Sequence, residues 1–302
     1  MSEYLFVSEY PISEESTFPL SFAKFTKYKT SISNLNKIYL FEEMYDQIVQ
    51  SYVDYKTYNY QSCIQFSSQA DLSKNQGYEY KLKLNRILST TLNLCKFYLD
   101  KSYSQETSFV FKLTGEQSDQ SKVAKFRNSL FQRNDGYAIG DDLRNYAQHH
   151  SKLIESFTYG FHKKTIVLYS CMNKTKLIDF IKDRKPAKAT KERLLSVVEA
   201  NCYKDKGFDI QRILDQFMNG VGEIHKFNRS LYTPLITEYV SNLEEAHSIS
   251  PESQLFCLLE NGKRIPLNYL RLKETIDHII NKNLFPLNHE LLDTSTYPPI
   301  EF

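Results

Sequence analysis

One short stretch of this sequence carries side chains that could act together on a phosphodiester. Between Gly136 and His150 the residues Asn145 and His149 stand four apart, as do Arg144 and Gln148. Residues at that spacing are neighbours on a helix, so each pair stacks one turn over the next. An imidazole such as His149 suits proton transfer because its unperturbed pKa, about 6.5, lies near neutrality. Arg144 offers a planar fork that grips phosphate oxygens and keeps its charge when partly desolvated. Asn145 can orient the imidazole or bridge to phosphate, and Gln148 supplies a second amide for substrate. Cutting RNA without a metal needs this kind of set: a base for the 2′-OH proton, an acid for the leaving oxygen and a cation for charge on the phosphorane.

At about 100° per residue, Ile139, Leu143, Tyr146, Ala147 and His150 share one side of the helix. Asp141, Asp142, Arg144, Asn145, Gln148 and His149 share the other. His150 therefore reads as a hydrogen-bonded core residue, or as a substrate-stacking ring if its side meets an interface. The plain alternative is a solvated helix face with Arg144 paired to Asp141 or Gln148.

Arg144-Asn145-x-x-x-His149 resembles the R-x4-6-H signature of HEPN domains, including the polar residue that commonly follows the arginine. Asn85-Arg86 and Tyr98-Leu99-Asp100 add to the likeness, which spans residues 36–160. The resemblance implies a compact helical bundle and an endoribonuclease with catalytic Arg144, Asn145 and His149. It also implies an RNA substrate, a site shared between two copies in a homodimer, and an antitoxin or defence-system partner. Arg271 and His278 repeat the bare spacing, with Leu272 after the arginine, and read as accidental. The alternative function is a non-catalytic helical scaffold that binds a protein partner or nucleic acid.

The elements that must hold this helix follow from periodicity. Residues 1–35, rich in Ser, Thr, Pro and aromatics, predict one or two short strands or extended segments. From residue 36 the pattern Phe41, Met44, Tyr45, Ile48, Val49 and Tyr52 marks a helix face. A polar break at 67–77 separates it from a second helix with Leu84, Ile87, Leu88, Thr91, Cys95, Tyr98 and Leu99 inward, packed as an antiparallel pair. Residues 104–117 read as loop, 119–132 as a third helix, Asn134-Asp135-Gly136 as a turn, and 137–153 as the helix described above. Beyond it, 165–169 predicts a strand. Helices are expected at 174–182, 191–203 and 209–246, the last interrupted at Gly220 and Gly222. Asn261-Gly262 predicts a hairpin between 255–259 and 265–267. A helix over 270–282 precedes a Pro-rich tail. The fold expected is mainly α: a bundle with short flanking strands, then a mostly helical region over 161–302.

The run from Lys182 to Arg193 holds six basic and two acidic residues, so Lys185 and Lys188 are candidate phosphate contacts. Tyr52, Tyr55, Tyr58 and Tyr60 around Lys56 could stack bases, but the first two continue the core stripe of the first helix. A net charge of +2 over 302 residues makes any nucleic-acid site a local matter. Five scattered cysteines fit reduced thiols in a cytoplasmic protein better than a disulfide framework. No metal-ligand spacing, phosphate-binding glycine loop or other cofactor motif is present. No stretch reads as a signal peptide or a membrane span.

Overall fold

A computed structural model describes residues 4–9, 15–69, 73–104, 108–149, 152–162, 165–183, 188–200, 202–203, 207–251 and 255–283. The chain is mainly helical, with short antiparallel strands, as its periodicity predicts. Strands β1 (Leu5–Glu9) and β2 (Glu15–Pro19) form a hairpin. Helix α1 (Phe22–Ser67) then starts well before the expected position near residue 36. Ser21 caps it by accepting from the Lys24 amide at 3.3 Å. Phe25, Tyr28, Ile32 and Leu35 extend the buried stripe of Ile38, Phe41, Tyr45, Ile48 and Tyr52. The Ser- and Thr-rich composition of that segment concealed the apolar period, which packing enforces.

Helix α2 (Lys74–Tyr103) opens with a capping box between Ser73 and Gln76. It runs antiparallel to α1: Tyr80 donates to Asn59 at 2.6 Å near one end, and Ser51 meets Thr91 at 2.8 Å further along. Residues expected to be loop contain a short helix, α3 (Phe109–Thr114), which closes at Gly115 with φ 73°. Helix α4 (Gln117–Arg133) leads into α5 (Asp135–His149). Asn134, expected within a turn, caps α5 instead, its side-chain oxygen accepting from the Tyr137 amide at 2.8 Å.

A second sheet, with strand order β3-β4-β6-β5, is built from β3 (Ser156–His162), β4 (Thr165–Met172), β5 (Cys202–Tyr203) and β6 (Gly207–Asp209). Between β4 and β5 lie α6 (Lys174–Asp183) and α7 (Lys188–Ala200). Helix α8 (Ile210–His247) passes through both glycines unbroken. A Cβ on Gly220 would lie 2.4 Å from the Tyr137 ring, so close packing with α5, rather than a break, explains that glycine. The predicted hairpin is present as β7 (Leu255–Glu260) and β8 (Lys263–Pro266), turning through Asn261 (φ 50°) and Gly262 (φ 77°). Helix α9 (Tyr269–Lys282) follows; the Pro-rich tail lies outside the described residues.

Strand β1 pairs with β7, giving the order β2-β1-β7-β8. One buried apolar cluster extends from Phe6 to Ile276 and so crosses all three segments into which the sequence divides. The seam between α1 and α8 is polar as well as apolar. Lys56 and Tyr52 both reach Asp215, at 2.7 and 2.6 Å, and Asn59 donates to Gln211 at 2.7 Å. Tyr52, Tyr55 and Lys56 are therefore core residues, with no surface to offer a base.

Candidate functional site

Helix α5 is held by its glycines. A Cβ on Gly136 would come within 2.2 Å of the Gln216 Cβ, and one on Gly140 within 2.3 Å of the Phe217 Cβ. These absences let α5 lie directly on α8, with Tyr137 stacked on Phe217 at 5.6 Å between ring centroids. Helices α2 and α4 pack on it from other directions. The two-faced division expected from the sequence therefore fails over most of α5: from Gly136 to Arg144 every residue is buried, polar or not.

Arg144 is the centre of this difference. Its side chain is 5% exposed and its Nη2 lies 2.7 Å from Oδ1 of Asp141, itself 3% exposed. The pairing with Asp141 agrees with the plain alternative above, but the pair is interior rather than solvated. The approach lacks hydrogen-bond alignment, and Nε and Nη1 of Arg144 have no hydrogen-bond partner among the described residues. Its other polar neighbour is Asn145, whose Oδ1 accepts from Nη2 at 3.4 Å. Asp141 also receives Arg127 of α4, Nη2 to Oδ2 at 3.2 Å. One carboxylate thus lies between two guanidiniums. Burial lowers the pKa of Arg127, but Asp141 together with Tyr137 and Tyr103 outweighs it and the net shift is upward. Arg127 is further covered by the rings of Tyr103 and Phe131, at 5.1 and 5.4 Å. Cys95 of α2 lies within range of Arg144; burial pushes its thiol up to about 12, the arginine pulling weakly the other way. It is no thiolate nucleophile near neutrality.

Toward its C-terminal end α5 emerges: Asn145 is half-buried and Gln148 exposed. His149 is the last residue of the helix. Its side chain, and the whole of His150, lie outside the described residues. Lys185 lies outside them too, and Lys188 opens α7 with its side chain likewise undescribed. The structure thus brings Arg144, Asn145 and Gln148 to one end of one helix. Asn85 of α2, one of the residues that carried the resemblance, fixes the chain just beyond. Its Oδ1 accepts from the amides of Leu153 and Ile154 at 2.9 and 2.8 Å, and its Nδ2 donates to the Ile154 carbonyl at 2.8 Å.

Two further features escaped the sequence reading. Glu42 of α1 lies wholly buried against α8, where Arg229 donates through Nε (2.8 Å) and Nη2 (2.6 Å). His225 contacts Glu42 through Nε2 at 3.1 Å and Tyr98 through Nδ1 at 2.8 Å, and Tyr232 donates to Glu42 as well. Burial would raise the Glu42 carboxyl, but His225 and Arg229 together hold it below the usual range; burial lowers the pKa of His225. Both carboxylate oxygens and both ring nitrogens are engaged, which makes this a clamp between α1 and α8. The i, i+4 spacing of His225 and Arg229 was visible in the sequence, but its partner Glu42 lies 183 residues away from the histidine. The second feature is an open cleft of about 540 Å³ at the start of α5, lined by Arg133, Asn134, Asp135, Gln216 and Glu223 among others. It lies about 14 Å along the helix from Arg144. Among the described residues no group of His, Cys, Asp and Glu is placed to hold a metal ion. The described cysteine side chains, Cys63, Cys95, Cys171 and Cys257, are buried and unbridged. No described helix is long and apolar enough to cross a membrane.

No family model, curated protein or solved structure matches this chain.

Proposed function

We propose that the chain is a metal-independent endoribonuclease of HEPN type, cytoplasmic and acting as a homodimer, with its site at the C-terminal end of α5. The observation that carries this reading is the state of Arg144. A buried cation with two nitrogens, Nε and Nη1, unmatched among the described residues is costly unless something accepts from it. Phosphate oxygens would do so, and Asp141 already orients the fork. His149, on the same helix end, takes the 2′-OH proton; the 2′ oxygen attacks phosphorus, and the 5′ oxygen leaves with a proton returned to it. No water is consumed, and the ends produced are a 2′,3′-cyclic phosphate and a 5′-OH. A second copy contributes the other imidazole, as the resemblance implies, and Asn145 orients the ring. The toxin or defence setting and an antitoxin partner rest on that resemblance alone.

Burial of Arg144 to 5% exposure favours the second reading, a non-catalytic scaffold in which the guanidinium is a structural ion. Purified protein incubated with single-stranded RNA in EDTA separates the two. The nuclease reading requires cyclic-phosphate ends with the wild type, none with His149→Ala, and a dimeric mass in solution. Wild type that leaves every RNA intact while retaining a bound partner establishes the scaffold.

A further inference from the structure

The outward side of α2 is distinct from the rest of the surface. The helix carries six basic and two acidic residues, so its net charge is +4 in a chain whose total is +2. Leu82, Arg86, Asn93 and Phe97 stand at intervals of four, seven and four, which places them on one line along the helix. That line is open: Leu82 is 44% and Phe97 55% exposed, and Tyr78 at its start is 57% exposed. Two cations lie over aromatic rings here, Lys83 above Tyr58 at 4.2 Å and Lys101 above Phe97 at 5.6 Å. Among the described residues Lys83, Arg86 and Lys101 form no ion pair, unlike Lys96, which is bound to Asp100 at 2.9 Å. From Lys83 to Lys101 the strip is about 27 Å long.

We infer that this outer strip of α2 is a binding track for single-stranded RNA. Unpaired cations along a line match a phosphate backbone, and the exposed rings of Tyr78 and Phe97 offer stacking surfaces to unpaired bases, which a duplex keeps in its own stack. A second copy of the chain is a poorer occupant, since two such strips face to face would oppose like charges, Lys83, Arg86 and Lys101 on each. Asn85, on the buried side of the same helix, holds the chain that leaves α5, so the track and the proposed cleavage site share one supporting helix. The choice of RNA rests on the proposed function, but binding can be measured without cleavage.

The test uses the full-length His149→Ala protein, which leaves the probe uncut, and a fluorescent single-stranded RNA of about 12 nucleotides. Three neutralised phosphates give a slope of log affinity against log salt near −2, a loss of about 20-fold between roughly 50 and 200 mM salt. Arg86→Ala flattens that slope by about 0.7. Phe97→Ala weakens binding at least about fivefold at every salt concentration. Lys263→Glu, on the distant β7–β8 hairpin, alters neither measurement. A duplex of the same sequence binds more weakly than the single strand. Binding that is absent, indifferent to Arg86 and Phe97, or equal for duplex and single strand overturns the inference. So does a Phe97→Ala protein that falls apart into monomers while binding RNA normally. Binding as described with no cleavage by the wild type would retire the nuclease and leave the track.

Discussion

Asp141 lies between two guanidiniums, and substituting either side of that arrangement has unequal consequences. Asp141→Asn keeps the shape and removes the charge. Arg144, 5% exposed, then loses its anion, and Arg127, 21% exposed, loses the carboxylate at 3.2 Å. Removing one partner of a buried pair costs about 3–5 kcal/mol, because the other charge remains without compensation. Arg144→Met acts in the opposite sense. Asp141 keeps Arg127, the side-chain volume is largely retained, and two buried nitrogens without partners among the described residues disappear, an omission that returns about 1–3 kcal/mol per nitrogen. The net cost of Arg144→Met is therefore within about 1 kcal/mol of zero, at least about 2 kcal/mol below that of Asp141→Asn. Urea denaturation at neutral pH, followed by circular dichroism for both variants beside the wild type, reads this difference as a shift of midpoint at constant slope. Equal losses, or a larger loss for Arg144→Met, would refute the view that Asp141 is the shared counter-ion. The same pair of proteins bears on function, since a folded Arg144→Met protein that no longer cuts RNA ties the arginine to chemistry rather than to packing.

Gly140→Ala forces a methyl against the Phe217 Cβ, which would lie 2.3 Å away. Alanine gains up to about 1 kcal/mol in helix propensity, but overpacking of about 1–3 kcal/mol exceeds it, so thermal unfolding should shift downward; an unchanged or raised midpoint shows that α5 and α8 do not meet as described. Acidification should destabilise the chain through the Glu42 clamp. The folded-state pKa values of His225 and Glu42 are both depressed below their ordinary 6.5 and 4.5, so the unfolded chain takes up protons first. Stability is then full above about pH 6.5, declines below it as unfolded His225 charges, and falls further below about 4.5 as unfolded Glu42 is protonated. His225→Gln should lack the upper part of that decline and keep the lower; denaturation midpoints of both proteins from pH 8 to 4 check this, and identical upper slopes sink it.

Much of the helical frame was legible because it rests on local repetition. The stripes through Phe41 and Tyr52, or Leu84 and Leu99, need only a period, and Asn261-Gly262 needs only its dipeptide to turn β7 into β8. What the sequence concealed is set by distant chain. The early start of α1 depends on the core that receives Phe25 and Tyr28, which a Ser- and Thr-rich segment does not announce. The polar side of α5 read as an open site face because its own period does not show what covers it; α4 supplies Arg127, and α8 closes against Gly136 and Gly140. Arg144 and Asp141 could be seen as a pair at i, i+3. Their enclosure could not, since it follows from which helices stack there.

The pairing of β1 with β7, some 250 residues along the chain, bears on how this molecule is made. A polypeptide leaving the ribosome would have its first strand long before the neighbour it needs, and α5 would emerge before the α8 surface that receives Tyr137 and its glycines. Contacts of such long separation form late, because the loop must close before they can compensate for its entropy. The stretch from 36 to 160, however much it looks like a self-contained bundle, therefore waits on residues past 210 for its packing. Attempts to excise it as a minimal fragment would release a chain with its main helix seat missing.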